Sequence, residues 1–579
     1  MRRVFGYIRP KLRRIAAGLA VKTAGTVMDL FIPWILAYMI DNVVPRRSMP
    51  LIFVWGAVMV ICSVLALAGN VIANRMASSV ARDATKEIRH DLFSKITYLS
   101  CRQTDGFTLP SLISRLSTDT YNIHQMIGMS QRLGVRAPIL LLGGIAVTMT
   151  LEPVLTLVML ATIPPLAFIV WTVARKGTRL YAQLQKKIDR MVRIVRENAA
   201  GIRVIKALSK TGYEKERFEE VNREVADAEN KAKSNMAISN PAMNLFLNIG
   251  LTAVILVGAF RVNAGVSQTG KIIAFMTYFT IILNALLSIN RIFTIVSQGY
   301  ASAERIAGVL DAPEECEILP PDHVETDDYI SFENVSFSYN GGSDQLRNIS
   351  FSLKKGQTLG IIGPTGCGKT TLIQLLLRFY DADSGVIRIE GDDIRSIPLD
   401  KLRDRFGIVF QNDFILADSI EENVSFGREL EEKAVLAGLS GAQASGFVDQ
   451  LDDGIRHRLA ARGTNLSGGQ RQRILISRAL AADPEILILD DASSALDYRT
   501  DAALRRAVNE NYSGTTTIIV AQRVSSVSRA DLIIVMDSGE VAGLGTHEEL
   551  LETCEEYRLT AESQMGAGME NGGVQVEQS

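Results

Sequence analysis

Three short stretches carry residues suited to a phosphorylated ligand. In LGIIGPTGCGKTT (359–371) an apolar run, read as a strand, leads into G-x-x-x-x-G-K-T and then a predicted helix. A loop of this kind turns successive backbone N–H groups toward an anion at a helix N-terminus, and Gly363 and Gly368 permit the curl. Lys369 is expected to reach the β- and γ-phosphates, and Thr370 to place its hydroxyl on Mg²⁺. The predicted cradle comprises Gly363, Pro364, Thr365, Gly366, Cys367, Gly368, Lys369, Thr370 and Thr371. In LILDDASSALD (487–497) an aliphatic strand ends in Asp490 and Asp491. Alone, such a pair reads as a strand running into a solvated turn; beside a phosphate loop, Asp490 becomes a Mg²⁺ ligand, directly or through water. NLSGGQRQR (465–473) sets Ser467, Gly468, Gly469 and Gln470 at the head of a predicted helix, a second anion cradle. ATP or GTP is the expected ligand. The thiol of Cys367, inside the loop at a helix N-terminus, is expected to be activated and open to maleimide; its plainer role is a small residue filling the loop.

These motifs occupy only the second half of the chain. At 579 residues the protein is too long for one hydrophobic core. A net charge of −1 gives no global hint of nucleic acid, and none is expected as a partner. Five scattered cysteines show neither metal-ligand spacing nor a disulfide framework. The first 300 residues hold six apolar segments long enough to cross a bilayer, at roughly 15–40, 51–74, 130–151, 153–175, 241–263 and 269–295. Arg2, Arg3, Arg9, Lys11, Arg13 and Arg14 precede the first, which by the positive-inside bias holds the N-terminus in the cytoplasm, and six crossings return the chain there. Short links alternate with two long polar ones whose apolar residues recur at helical spacing, as expected for helices that run on beyond the bilayer. Their turning points, 104–119 and 205–222, are placed to touch a cytoplasmic domain. The acidic, proline-bearing stretch 311–328 reads as a linker, 329–562 as a nucleotide-binding domain, and 563–579 as a disordered tail.

The order GPTGCGKT, VFQND, LSGGQRQR, LILDDASSALD resembles the nucleotide-binding domain of ATP-binding cassette (ABC) proteins, and six preceding spans resemble the exporter type with fused domains. The resemblance covers nearly the whole chain. It implies an α-helical six-span transmembrane bundle, residues 1–310, followed by a P-loop α/β nucleotide-binding domain with a helical subdomain. It implies a half-transporter in the inner membrane that dimerises, with Mg²⁺-ATP sandwiched between one chain's phosphate loop and the other's Ser-Gly-Gly turn. Carried over by position, Tyr339 would stack on adenine, Gln411 would sense Mg²⁺ and nucleotide, and Ser467 with Gly469 would hold the partner's γ-phosphate. The two cytoplasmic turning points would be coupling helices.

Three positions depart from the family pattern. Asp491 stands where the catalytic Glu is usual, Gln522 where the switch His is usual, and Ala461 where exporters often have Glu. Asp is one methylene shorter than Glu, and a carboxylate displaced by about 1 Å can slow water attack ~100-fold. Gln cannot become cationic as His can. The resemblance is thus to the degenerate-site subunits of bacterial heterodimeric multidrug exporters, the partner being a second half-transporter with Glu and His. A homodimer using Asp491 as base, and an ATP-gated channel or regulatory subunit, are the alternatives. The cargo (drug, lipid or peptide) is left open. Lys22, Asp29, Asn244, Asn248, Asn284 and Asn290 are polar groups at membrane depth, suited either to interhelical pairing or to cargo contact.

Overall fold

The computed structural model describes residues 2–313, 318–339, 342, 344–411, 413–492 and 495–570. The chain divides into two compact units, Met1–Ile96 with Pro110–Asp311, and Thr97–Leu109 with Ala312–Ser579.

The first unit is helical. Its long elements are α1 (Leu12–Tyr38), α2 (Met49–Thr97), α4 (Thr120–Leu151), α5 (Pro153–Ala207), α6 (Thr211–Ala237), α7 (Ser239–Asn263) and α8 (Thr269–Leu310). The short α3 (Cys101–Phe107) belongs to the other unit. Among the described residues, five helices are long and apolar enough to cross a bilayer by length and composition. The sixth predicted segment, 153–175, falls on the start of the 55-residue α5, where Pro153–Thr162 is apolar. Pro164 and Pro165 lie within that helix.

Helices that leave lipid for water must change what they present, and the sequence does so. Along α2 the apolar run gives way after Asn74 to RMASSVARDATKEIRHDL, in which Ala77, Ala81, Ala84, Ile88 and Leu92 form a buried stripe at helical spacing. The crossing of α1 and α2 is built on Gly25 and Gly69, where a Cβ on Gly69 would lie 3.1 Å from Gly25 Cα. Polar groups pair between helices: Tyr278 Oη donates to the Leu30 carbonyl, and the exposed Arg305 forms a two-pronged contact with the buried Asp119. Of the membrane-depth polar groups, Lys22 is buried, Asp29 is half-buried, and Asn244, Asn248 and Asn284 are exposed; the Asn290 side chain lies outside the described residues.

The second unit contains two sheets. One is antiparallel in the order β2 (Leu346–Leu353), β1 (Ile330–Phe337), β4 (Ser384–Ile389), β5 (Asp392–Asp393). The other runs β10 (Glu540–Gly545), β9 (Leu532–Asp537), β3 (Thr358–Ile362), β8 (Thr516–Ala521), β7 (Ile486–Asp490), β6 (Phe406–Val409), parallel from β9 to β6. Its central strands, TLGII, TTIIVA and ILILD, are near-continuous aliphatic runs because both faces are covered. A separate core unites Val435 and Leu439 with Ile474, Leu475 and Ile476, the expected helical subdomain.

Two expectations change here. Much of the stretch read as a linker is tied down: Leu319 N–H donates to the Arg395 carbonyl, Val324 N–H to that of Gly391, and His323 bridges to Asp392 on β5. The buried Arg388 drives this by donating to the carbonyl and carboxylate of Asp322. Residues 314–317 lie outside the described residues. The expected disordered tail, 563–579, begins inside α11 (Glu555–Glu570), because Gln564 is held by two hydrogen bonds; 571–579 lie outside the described residues.

Candidate nucleotide site

The strand order dictates where the chemistry collects. In a parallel sheet, ligands gather beyond the carboxyl ends of the strands. Here β3, β8 and β7 are neighbours, with Ile362 opposite Ala521 and Asp490 opposite Val520. The residues following each strand are therefore side by side: the phosphate loop after β3, Gln522 after β8, and Asp491 after β7. A pocket of about 210 Å³ is lined by Thr365, Gly366, Gly368, Lys369, Thr370, Thr371, Gln411, Asp490, Asp491 and Gln522, all predicted from the sequence. Gln345, Val520 and Ala521 complete the lining and were missed. Gln345 sits before β2 and carries no motif.

The loop's glycines have identifiable reasons. A Cβ at Gly363 would overlap the Met536 carbonyl, and Gly368 has φ +106° with a Leu346 methyl 2.6 Å from where its Cβ would be. The loop ends at α9 (Lys369–Leu376), with its unpaired N–H groups at the pocket. Lys369 Nζ donates to the carbonyls of Gly363 (2.7 Å) and Pro364 (2.9 Å). Thr370 Oγ1 donates to Asp490 Oδ2 at 3.3 Å. Burial holds the Asp490 carboxyl above its usual range; the Thr370 hydrogen bond opposes this, the Asp491 charge adds to it, and Lys369 opposes it.

Hydroxyl, carboxylate and amide oxygen from Thr370, Asp490 and Gln411 are hard donors of the kind Mg²⁺ takes. Among the described residues no cluster of three or more His, Cys, Asp or Glu could hold a metal. In a site of this kind the ion's remaining ligands would be phosphate oxygens and water.

The two unusual residues meet. Gln522 Nε2 donates to Asp491 Oδ2 across a long 3.5 Å contact. Asp491 has φ +52°, a conformation unusual for a non-glycine residue, and its N–H donates to the Val520 carbonyl. The backbone at Gln522 is fixed from α11: Gln564 Nε2 donates to the Gln522 carbonyl at 3.0 Å and Gln564 Oε1 accepts from Val524 N–H at 2.8 Å.

Other predicted residues stand outside the pocket. Tyr339 Oη donates to Gln374 Oε1 (2.6 Å) and meets Thr371 Oγ1 at 3.1 Å, with its ring edge-on to Tyr380. Ser467 caps α10 (Gly468–Leu480): its Oγ accepts from Gln470 N–H while Gln470 Oε1 accepts from Ser467 N–H. Ser467 and Gly468 are exposed, and the turn 467–470 does not line the pocket of its own phosphate loop. Cys367 overturns the expectation placed on it. It is 3 % exposed within the sheet core, with Gly363 and Lys369 against it, so a bulky maleimide has no path to its sulfur and the loop-filling role stands.

The segment Cys101–Phe107, where the first predicted turning point begins, belongs to this unit through contacts no motif announced. Ser100 and Gln103 form a capping box on α3, Tyr380 Oη donates to Asp105 Oδ2 at 2.7 Å, and Arg102 lies 3.7 Å from Asp383. Tyr380 packs on Tyr339, which bonds to α9, so α3 is two side chains from the helix that follows the phosphate loop. Asp105→Ala should weaken this docking by about 1 kcal/mol. Cargo-stimulated ATPase should fall severalfold with ATP affinity unchanged; stimulation equal to that of the parent protein would remove the contact from the coupling path.

Comparison with known proteins agrees with this geometry over the full length. The family model for the "ABC transporter transmembrane region" matches residues 15–286, and that for "ABC transporter" matches 346–494. An uncharacterized ABC transporter ATP-binding protein of Bacillus subtilis is 33% identical over 572 residues, covering 98% of this chain and 99% of the relative. A fatty acid ABC transporter ATP-binding/permease protein of Mycobacterium tuberculosis is 32% identical over 478 residues, covering 82% and 76%. The solved structure of a bacterial Atm1-family ABC exporter with ATP bound shares the fold, with a TM-score of 0.80 and 24% identity over 98% of this chain and 99% of that one. A helical membrane unit, a parallel sheet whose strand ends gather a phosphate loop and an aspartate, and relatives aligned end to end have one reading: this chain belongs to the ABC transporters, ATPase-coupled membrane proteins.

Proposed function

We propose that the chain is one half of a heterodimeric exporter of drug-, lipid- or peptide-class cargo across the cytoplasmic membrane, with both termini in the cytoplasm. In this reading its own phosphate loop binds Mg²⁺-ATP and hydrolyses it slowly, while its Ser467 turn completes a competent site on a partner carrying Glu and His. The observation that carries the reading is the Asp491–Gln522 pair at the end of β7 and β8.

The loop amides and Lys369 hold the β- and γ-phosphates, Tyr339 takes the adenine, and Thr370, Asp490 and Gln411 present oxygens to Mg²⁺, which neutralises charge on the transferring phosphoryl group. Water attack then needs a base at the γ-phosphate. Asp491 is too short to reach the place a Glu carboxylate would occupy, and Gln522 engages that carboxylate by donating its amide to it. Gln522 also offers no cationic donor to the developing charge. Binding is retained while turnover is slowed, and the exposed, internally capped Ser467 turn remains free to face another chain's nucleotide. The exposed Val204, Leu208 and Tyr213 at the second turning point supply an apolar patch for the partner's nucleotide-binding domain. The fatty acid transporter among the relatives supports lipid-like molecules as one cargo class.

Purified alone, the chain should hydrolyse ATP weakly. Co-purified with its native partner, it should give a rate at least ~10-fold higher per complex. Vigorous hydrolysis by a verified homodimer would establish Asp491 as a working base and remove the asymmetric reading.

A further inference from the structure

The membrane unit holds charge that its own fold does not neutralise. Lys22 on α1 donates to Asn70 Oδ1 (2.8 Å) and Asn74 Oδ1 (3.0 Å) on α2. Asn70 Nδ2 reaches Asp29 Oδ2 at 3.3 Å, and Arg136 on α4 reaches the same oxygen at 3.2 Å. One turn earlier, Arg132 donates to Ser78 Oγ at 2.8 Å. Three cations are thus gathered around one carboxylate, and the Nε atoms of both Arg132 and Arg136 are buried without a partner among the described residues. Uncompensated cations at membrane depth are expensive, and guanidinium groups with unused donors are anion receptors.

A groove of about 600 Å³ adjoins this cluster and shares Asn74 and Ser78 with it. Arg75, Arg82 and His124 are on its wall, together with Val71. From Val71 an apolar stripe continues at helical spacing through Leu67 and Val64, both more than half exposed, toward the middle of the span. Asn70 and Asn74 end the second apolar segment, whereas Arg132 and Arg136 begin the third, so the polar end lies at the cytoplasmic leaflet.

We propose that the groove between α2 and α4 binds the anionic head, carboxylate or phosphate, of a single-chain amphiphile drawn from the inner leaflet, its tail lying along Val71, Leu67 and Val64. This names a cargo class for the export reading above and rests on it. Arg75 meets the head from the groove wall; Arg132, bonded to Ser78 of that wall, and Arg136 behind it attract the head by charge; Lys22 adds long-range attraction, and Asp29 keeps Arg136 oriented.

The test is nucleotide-free equilibrium binding of palmitate, hexadecyl phosphate and hexadecanol to the full-length transporter in neutral maltoside micelles. Palmitate and hexadecyl phosphate should bind at least about tenfold more tightly than hexadecanol, the difference expected of charge-assisted hydrogen bonds. Arg132→Gln with Arg136→Gln should remove that preference, and Arg132→Lys with Arg136→Lys should keep most of it. Arg75→Glu, an exposed change compatible with folding, should weaken palmitate binding about tenfold even if the Gln pair misfolds. Hexadecanol binding as tightly as palmitate, or palmitate binding indifferent to these changes, would overturn the proposal. Inorganic phosphate competing as well as hexadecyl phosphate would also overturn it, in favour of a small-anion site. Because no ATP is present, failure here leaves the asymmetric-hydrolysis reading standing, and failure of that reading leaves this binding untouched.

Discussion

Ser467→Arg should reduce ATP turnover by the assembled transporter at least ~100-fold, while ATP still binds to this chain's own phosphate loop. The turn lies at the N-terminus of α10 with Ser467 and Gly468 exposed, and the pocket built by Lys369, Asp490 and Gln522 includes none of its residues. A bulky cation there removes the hydroxyl and blocks approach of the γ-phosphate that another subunit would bring. Steady-state ATPase of the complex, alongside filter binding of labelled ATP to this subunit, reads both effects. Full turnover in the Ser467→Arg complex would mean that the turn serves no nucleotide in trans.

The second large effect runs the other way. Asp491→Glu together with Gln522→His should raise hydrolysis at this chain's own site by ~10–100-fold, measured in a complex whose partner lacks its catalytic Glu. The long Gln522–Asp491 contact shows the two positions already face each other, and Gln564 holds the switch backbone in place, so new side chains arrive on a prepared frame. Either change alone should recover less, because base and cationic donor act on one transition state. No gain from the pair would place the defect elsewhere in the site.

What was legible in the sequence, and what was not, divides by the range of the interaction. The phosphate loop, the aliphatic strand ending at Asp490 and the apolar spans are local patterns, each decided by neighbours along the chain. The docking of α3 rests on Tyr380 meeting Asp105 across 275 positions, and nothing near either residue announces the other. Cys367 shows the opposite failure. Its position at a helix N-terminus argued for reactivity, but Gly363 and Lys369 close over it, so packing overrides the local electrostatic argument. The stretch 319–324 looked like a linker because it is acidic and carries proline, while the buried Arg388 that holds it lies more than sixty residues on. Gln564 was assigned to a tail because its neighbours are small and polar; its two backbone contacts near Gln522 are again non-local.

The crossing of α1 and α2 at Gly25 and Gly69 limits how the membrane unit can change shape. With no side chain between the two backbones, neither rotamer changes nor small slides can absorb relative motion there, and an alanine at either position would have to push main chain aside. The two helices are therefore a single stiff lever. A displacement applied to α2 at this level is passed directly to α1, whose other neighbours are α4 and α8.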